Sequence, residues 1–359
     1  MNGMSRLGAE KVIYHADRLL DIKEKRDAYP VHMVVGLTDY CCHKCIFCNS
    51  EFVTADTTRI DTIDAKVLLK FLGEAKEAGL KAITLCGSGE PLLHPQIEEI
   101  LYSVHEMGLD IGIFTNASRM SERIRKAMLA TCTFVRCSVT ASNSMEHEIV
   151  HQIKNDFDNV VENIRALVKG KKELGQKFPT IGTQFVFYDQ NYTSIEAATK
   201  LWKEVGVDYF EIKPLIDGDG SSVGIKVFSA TDKEGVRHQM ELAKKLETDE
   251  YQVYTKYNQY EKTLAEKSRT YKMCYGHALD PNLWSDGNMY ICSNHEQEKD
   301  IIGSIYESSF MEIWHGEKRK KRIQQIRVDE CPGGCRCDPI NEVIWDYLYP
   351  DQEIHPNFI

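Results

Sequence analysis

Cys41, Cys42, His43, Cys45 and Cys48 fall within eight residues of the stretch DYCCHKCIFCN. Thiolates are soft ligands, suited to zinc, to redox exchange or to iron–sulfur centres. Cys41, Cys45 and Cys48 are spaced C-x3-C-x2-C. Three thiolates from one short loop can take three corners of a four-iron cubane and leave the fourth iron open. A structural zinc site wants four ligands, and here the fourth is Cys42 or His43. His43 is so near in sequence that joining the same tetrahedron strains the loop. Spacing alone leaves iron and zinc both open.

A second group lies after residue 270: Cys274, Cys292 and, in the run CPGGCRCD, Cys331, Cys335 and Cys337. Two separated thiols plus a close set hold zinc as well as they hold a cluster. Cys86, Cys132 and Cys137 are scattered and read as small buried hydrophobes, with Cys86 set apart by its place beside GSGEP (87–91). The twelve cysteines do not read as a disulfide scaffold, because the charged N-terminal stretch MNGMSRLGAEKVIYHADRLLDIKEK lacks a signal-peptide pattern. The expected location is cytoplasmic, and no apolar run is long enough to span a bilayer. With a net charge of −10 the chain has the wrong bulk field for nucleic acid. The basic run at 316–327 reads as a solvated helix face.

These residues need elements to position them. Strand-like runs occur at 31–38, 81–87, 110–116, 134–141, 180–188 and 209–216, with helical periodicity between them. The helix before Gly79 carries Val67, Leu68, Leu72 and Ala75 on one face. Thr193 and Glu196 have capping-box spacing, and Gly206 reads as a helix stop. Asp286-Gly287 reads as a hairpin turn. Near-continuous apolar strands alternating with helices predict an α/β fold with a parallel sheet. The count fits a partial TIM-type (β/α)6 barrel followed by a smaller C-terminal cysteine-rich domain. The expected organisation is an N-terminal helix at 1–30, the barrel at 31–228, a helical linker at 229–270 and the cysteine-rich domain at 271–359. Loops after strand ends carry function in such folds, which puts CCHKCIFC in a functional position.

With these placements the sequence resembles the radical S-adenosylmethionine superfamily. The resemblance rests on C-x3-C-x-F-C after the first strand, GSGEP after the second, TNA (115–117) ending the third and VRCSVTA (135–141) forming the fourth. Ser88 and Ala117 stand where the family often has glycine, and both are small. The resemblance implies a [4Fe-4S] cluster on Cys41, Cys45 and Cys48, with an open iron that binds S-adenosylmethionine. It also implies a 5′-deoxyadenosyl radical that abstracts hydrogen from substrate. Phe47 is the family's aromatic residue before the last cysteine. Gly89 and Glu90 are implied to receive the methionine ammonium, Ser138 the ribose, and Asn116 and Gln184 to face the cofactor, although Gln184 also reads as a satisfied core amide.

The C-terminal cysteines resemble the twitch or SPASM extensions of the same superfamily. That implies an auxiliary [4Fe-4S] cluster on Cys274, Cys292, Cys331 and Cys335, with Cys337 competing for the same corner. The expected activity is that of a radical oxidoreductase or epimerase on a small polar, carbohydrate-like substrate. The expected partner is an electron donor such as flavodoxin or ferredoxin, with neither membrane nor nucleic acid. Cys337 and Cys86 are candidate hydrogen-atom donors. Asp189, Glu211 and Lys213 near later strand ends are candidate substrate groups, or plain solvated or paired charges. Two alternatives are a peptide-modifying maturase and, from another class, a zinc-stabilised binding protein.

Overall fold

The structure is a computed structural model and describes residues 7–48, 61–216, 229–264, 269–295, 297–331, 334–351 and 353. Each strand-like run forms a strand: β1 (His32–Val35), β2 (Ala82–Leu85), β3 (Asp110–Thr115), β4 (Phe134–Ser138), β5 (Thr180–Phe187) and β6 (Tyr209–Pro214). They pair in parallel in sequence order, each joined to the next by a helical crossover. This is the (β/α)6 partial barrel.

Four pairings extend the sheet. β7 (Gln252–Thr255) joins β6 in parallel, inside the stretch expected to be wholly helical. On the other side β8 (Asn282–Leu283) pairs in parallel with β1. β9 (Asn288–Tyr290) and β10 (Ile301–Ser304) then continue antiparallel. The order is β10-β9-β8-β1-β2-β3-β4-β5-β6-β7 among the described residues. The β8–β9 connection turns at Asp286-Gly287, where Gly287 has φ +78° as a tight hairpin requires. The Gly/Ser-rich boundary at 217–230 lies outside the described residues except for 229 and 230.

The two faces of the strands have opposite character. Met33, Val35, Ile83, Leu85, Ile111, Ile113, Val135, Ile181, Phe210 and Ile212 are buried under the helices. Burying such side chains stabilises by about 1.5–3 kcal/mol each. On the other face the register aligns Phe114 with Arg136, then Ser138 with Gln184 and Gln184 with Glu211. Arg136 stacks on Phe114, and Arg136 and Gln184 both bond Glu211 across the barrel interior.

Helix boundaries follow local chemistry. Asp64 accepts the Val67 N–H (3.0 Å) at the start of the helix Ala65–Glu77. Gly206, at φ +86°, ends the helix Ile195–Val205 as expected. The capping box expected from Thr193 and Glu196 does not form. Thr193 sits in a 3-10 turn, and the Glu196 N–H donates instead to Gln239 Oε1 (3.2 Å). The basic run forms the helix Glu317–Gln325, and it is not wholly solvated. Arg319 is buried against Trp314 and reaches Asp27, while Arg322 pairs with buried Asp300 (2.6 Å).

Candidate active site and auxiliary centre

The cysteine loop leaves β1 and is pinned by two backbone bonds, Lys44 N–H to His151 O (3.1 Å) and Ile46 N–H to Val150 O (2.9 Å). Phe47 packs beside Ile46, Val150 and Tyr188. Burial pushes the Cys41 and Cys45 thiols up, with Glu90 adding at Cys41 and the neighbouring cysteines at both. Thiolates that repel one another in a buried loop need a cation to stabilise them together. Among the described residues, the metal-competent groups with ligand atoms within 4.8 Å of one another are His43/Cys45/His151 and His43/His147/Asp156. Cys41, Cys45 and Cys48 do not form such a tight set, so their sulfurs suit the corners of a cluster better than a single ion.

The histidines behind the loop went unnoticed in the sequence. His147 and His151 lie one turn apart on the helix Ser144–His151, and that spacing in EHEIVH was the available signal. His151 Nε2 accepts the Thr140 backbone N–H (3.1 Å), which leaves the proton on Nδ1. That N–H therefore donates to Cys45 Sγ (3.1 Å). The geometry makes His151 a hydrogen-bond donor to the sulfur rather than a metal ligand beside it. His43 Nε2 bonds Asp156 Oδ2 (3.1 Å), and the other oxygen, Asp156 Oδ1, accepts from Ser118 and Asn159.

His147 is 1% exposed, and its ring nitrogens have no hydrogen-bond partner among the described residues. Burial, then His43, lowers its pKa from 6.5 to about 4. A group depressed on folding binds its proton more readily when unfolded, so its contribution holds above pH 6.5 and is lost as pH falls towards about 4. His147→Phe is expected to flatten the fall in melting temperature over that window. An unchanged acid limb in calorimetry overturns this assignment.

The GSGEP loop is built by close approach. A Cβ on Gly89 would stand 2.4 Å from Thr38 O and 2.5 Å from Tyr40 O. Only glycine lets this loop press on the start of the cysteine loop. Asp39 accepts from Ser88 and Ser285, tying the loop to the C-terminal part of the chain. Glu90 is 2% exposed and accepts from Leu92 N–H (3.1 Å), Thr115 Oγ1 (2.6 Å) and Asn116 N–H (2.7 Å). Its carboxylate therefore fixes β3 to the loop whatever else it meets. The Asn116 amide points at the Cys41 and Cys42 sulfurs (3.7 and 3.5 Å).

The barrel interior holds Cys86, Ser138, Gln184, Arg136 and Glu211. Gln184 donates to Glu211 Oε2 (2.6 Å), and Arg136 Nη1 pairs with the same oxygen (2.9 Å). Glu211 is thus a buried, paired group, not a solvated one. Arg136, Arg336 and Lys213 are the cations whose charge acts on Cys86. Cys337 lies elsewhere.

Cys274, Cys292, Cys331, Cys335 and Cys337 line one small cavity. Three donors converge on Cys335: Asn294 Nδ2 (3.1 Å), the Cys337 backbone N–H (3.4 Å) and the Cys337 thiol. The Cys337 thiol and then the Cys337 backbone N–H hold the Cys335 pKa down to about 7, while the same thiol bond pushes the Cys337 pKa up. Asn341 donates to Cys274 (3.4 Å). Arg269 braces the Cys331–Cys337 loop, bonding Asp338 (3.0 Å) and Val328 O (2.6 Å). Five sulfurs converging among apolar side chains, with aimed N–H donors, fit an iron–sulfur cluster.

A thiol loop at the first strand end of a partial barrel, followed by a thiol-lined cavity, suits a protein that holds two iron–sulfur clusters. Residues 35–201 match the radical SAM superfamily and residues 280–338 match SPASM, an iron–sulfur cluster-binding domain, so the chain carries a radical SAM domain and an iron–sulfur domain. Its cofactors are S-adenosylmethionine, an open-cornered [4Fe-4S] cluster and an auxiliary cluster. The fold resembles SuiB of Streptococcus suis bound to S-adenosylmethionine, with TM-score 0.66 at 18% identity over 90% of this chain and 75% of SuiB. SuiB is also solved with its precursor peptide SuiA. Native anSMEcpe with bound AdoMet and a peptide gives TM-score 0.61 at 14% identity over 91% of this chain and 99% of that one. These likenesses are of fold. A curated relative, the tungsten-containing aldehyde ferredoxin oxidoreductase cofactor-modifying protein of Pyrococcus furiosus, is 23% identical over 52% of this chain. The chain spans about half of that protein's length, 51%. No helix among the described residues is long and apolar enough to cross a membrane.

Proposed function

We propose that this enzyme abstracts hydrogen from a small polar substrate held inside the barrel, in an epimerisation or a carbinol dehydrogenation. The observation that carries this reading is the interior face of the sheet, where Arg136, Gln184, Glu211 and Lys213 stand in place of apolar side chains. Cys41, Cys45 and Cys48 hold the first cluster, and Cys274, Cys292, Cys331 and Cys335 the second. When bound, the first cluster and S-adenosylmethionine supply a carbon radical that takes a hydrogen atom. The protein positions these groups. Gly89 lets the GSGEP loop close on the cysteine loop, Glu90 fixes the strand end beside it, and His151 orients Cys45.

Cys86 is the thiol at the barrel interior and is the better placed of the two candidate hydrogen-atom donors. Cys337 lies in the auxiliary cavity, bonded to Cys335. An electron donor of the flavodoxin or ferredoxin kind supplies the reducing electron. A peptide substrate is the second reading, favoured by the peptide-bound SuiB and anSMEcpe structures.

Reconstituted enzyme with dithionite and S-adenosylmethionine is expected to release 5′-deoxyadenosine. Extracts of small metabolites and of peptides from the source cells are then added separately in deuterated water. Solvent deuterium at one carbon of a small product marks epimerisation, and a carbonyl product marks dehydrogenation. A modified peptide alone overturns the small-substrate reading, and zinc uptake without SAM cleavage overturns the radical reading.

A further inference from the structure

Among the described residues, the barrel interior carries more positive charge than the carboxylates facing it balance. Four cations gather there: Arg136 on β4, Lys213 on β6, Lys256 after β7 and Arg336 from the cysteine-rich loop. Two carboxylates face them. Glu211 takes Arg136 (2.9 Å) and, at 3.8 Å, Lys256. Asp280 takes Arg336 (3.0 Å) and His32 (2.8 Å). Lys213 has neither a hydrogen bond nor an ion pair among the described residues, and Arg136 Nε is buried without a partner. Burial and then Arg136 lower the Lys213 pKa, in keeping with a cation short of counter-charge.

Position adds to charge. Lys213 lies two residues beyond Glu211 on β6, nearer the strand's C-terminal end, where barrel enzymes bind substrate. Arg136 and Lys213 are half-buried and Arg336 stands at the more open rim, and cations gathered partly out of water are costly unless an anion completes the set. We infer that the barrel mouth binds an anionic group of the substrate, a phosphate or a carboxylate, on Lys213, Arg136 and Arg336. The inference rests on the barrel interior being the substrate site. It narrows the substrate to a phosphorylated or acidic small molecule.

Calorimetric titration of the anaerobic, SAM-loaded holoenzyme at fixed ionic strength tests this. Inorganic phosphate is the probe in one arm and malonate in the other, and the tighter arm names the anion. Wild type is expected to show one saturable site. Lys213→Met, which keeps the length and removes the charge, is expected to weaken it about tenfold or more. Arg336→Gln is expected to act in the same direction and serves if K213M does not fold, as judged by iron content and circular dichroism. Lys321→Met, on the exposed basic helix, is expected to leave binding unchanged. No saturable site, equal binding by K213M and R336Q, or loss with K321M alone overturns the inference. The titration requires no electron transfer. Failure here with 5′-deoxyadenosine release intact leaves the proposed radical function standing, and success without SAM cleavage does the reverse.

Discussion

Replacing Cys45 with alanine is expected to remove about four irons per chain and all release of 5′-deoxyadenosine, while the auxiliary cluster stays. Cys45 is half-buried in the loop after β1, and its sulfur takes the His151 N–H. Among the described residues no other thiol shares that donor. Loss of one of three thiolate ligands leaves two, too few to retain the cluster through anaerobic gel filtration. Cys42→Ala is the matched control. Its thiol meets the Asn116 amide, and it is expected to keep wild-type iron and SAM cleavage. Iron and sulfide analysis with electron paramagnetic resonance reads both variants. Full iron in C45A, or loss in C42A, means that the ligand assignment is wrong.

The second large effect is expected between two cysteines only two residues apart. Cys335→Ala is expected to lose the auxiliary cluster, again about four irons, with the barrel cluster intact. Cys337→Ala is expected to keep it. The reason is the direction of one hydrogen bond. The Cys337 thiol and backbone both donate to the Cys335 sulfur, which favours thiolate at Cys335 and thiol at Cys337. Ligands must be deprotonated, so the cavity selects Cys335. Cys337 also packs against Gly276, where a Cβ would stand 2.9 Å from the Cys337 Cβ. Equal iron loss in both variants, or loss in C337A alone, overturns this ordering.

The barrel was legible because each of its strands is a short apolar run bounded by turn residues, and C-x3-C-x2-C and GSGEP punctuate the first two. β7 was not legible. Gln252–Thr255 is a four-residue strand between helical stretches, and only its neighbour β6 gives it a sheet to join. β8 is two residues long and owes its existence to β1. The polar inner face was half visible. Arg136 and Ser138 alternate with buried Val135 and Cys137 in β4, but Glu211 reads as a surface charge until Arg136 and Gln184 are brought to it. The histidine group behind the cysteine loop depends on a helix meeting that loop, which no local pattern encodes.

The place of β1 also bears on how the chain folds. Its two neighbours are β2, next in sequence, and β8, near the far end of the chain; His32 and Asp280, which bond beside this seam, are 248 residues apart. During synthesis β1 gains one partner early and waits for the other until the cysteine-rich region has emerged. An unpaired strand edge is a template for wrong pairing. Contacts this distant in sequence form slowly because a long loop must close first. The nascent barrel is therefore exposed along that edge for most of its translation, and C-terminal truncation leaves the edge permanently open beside the cluster-binding loop.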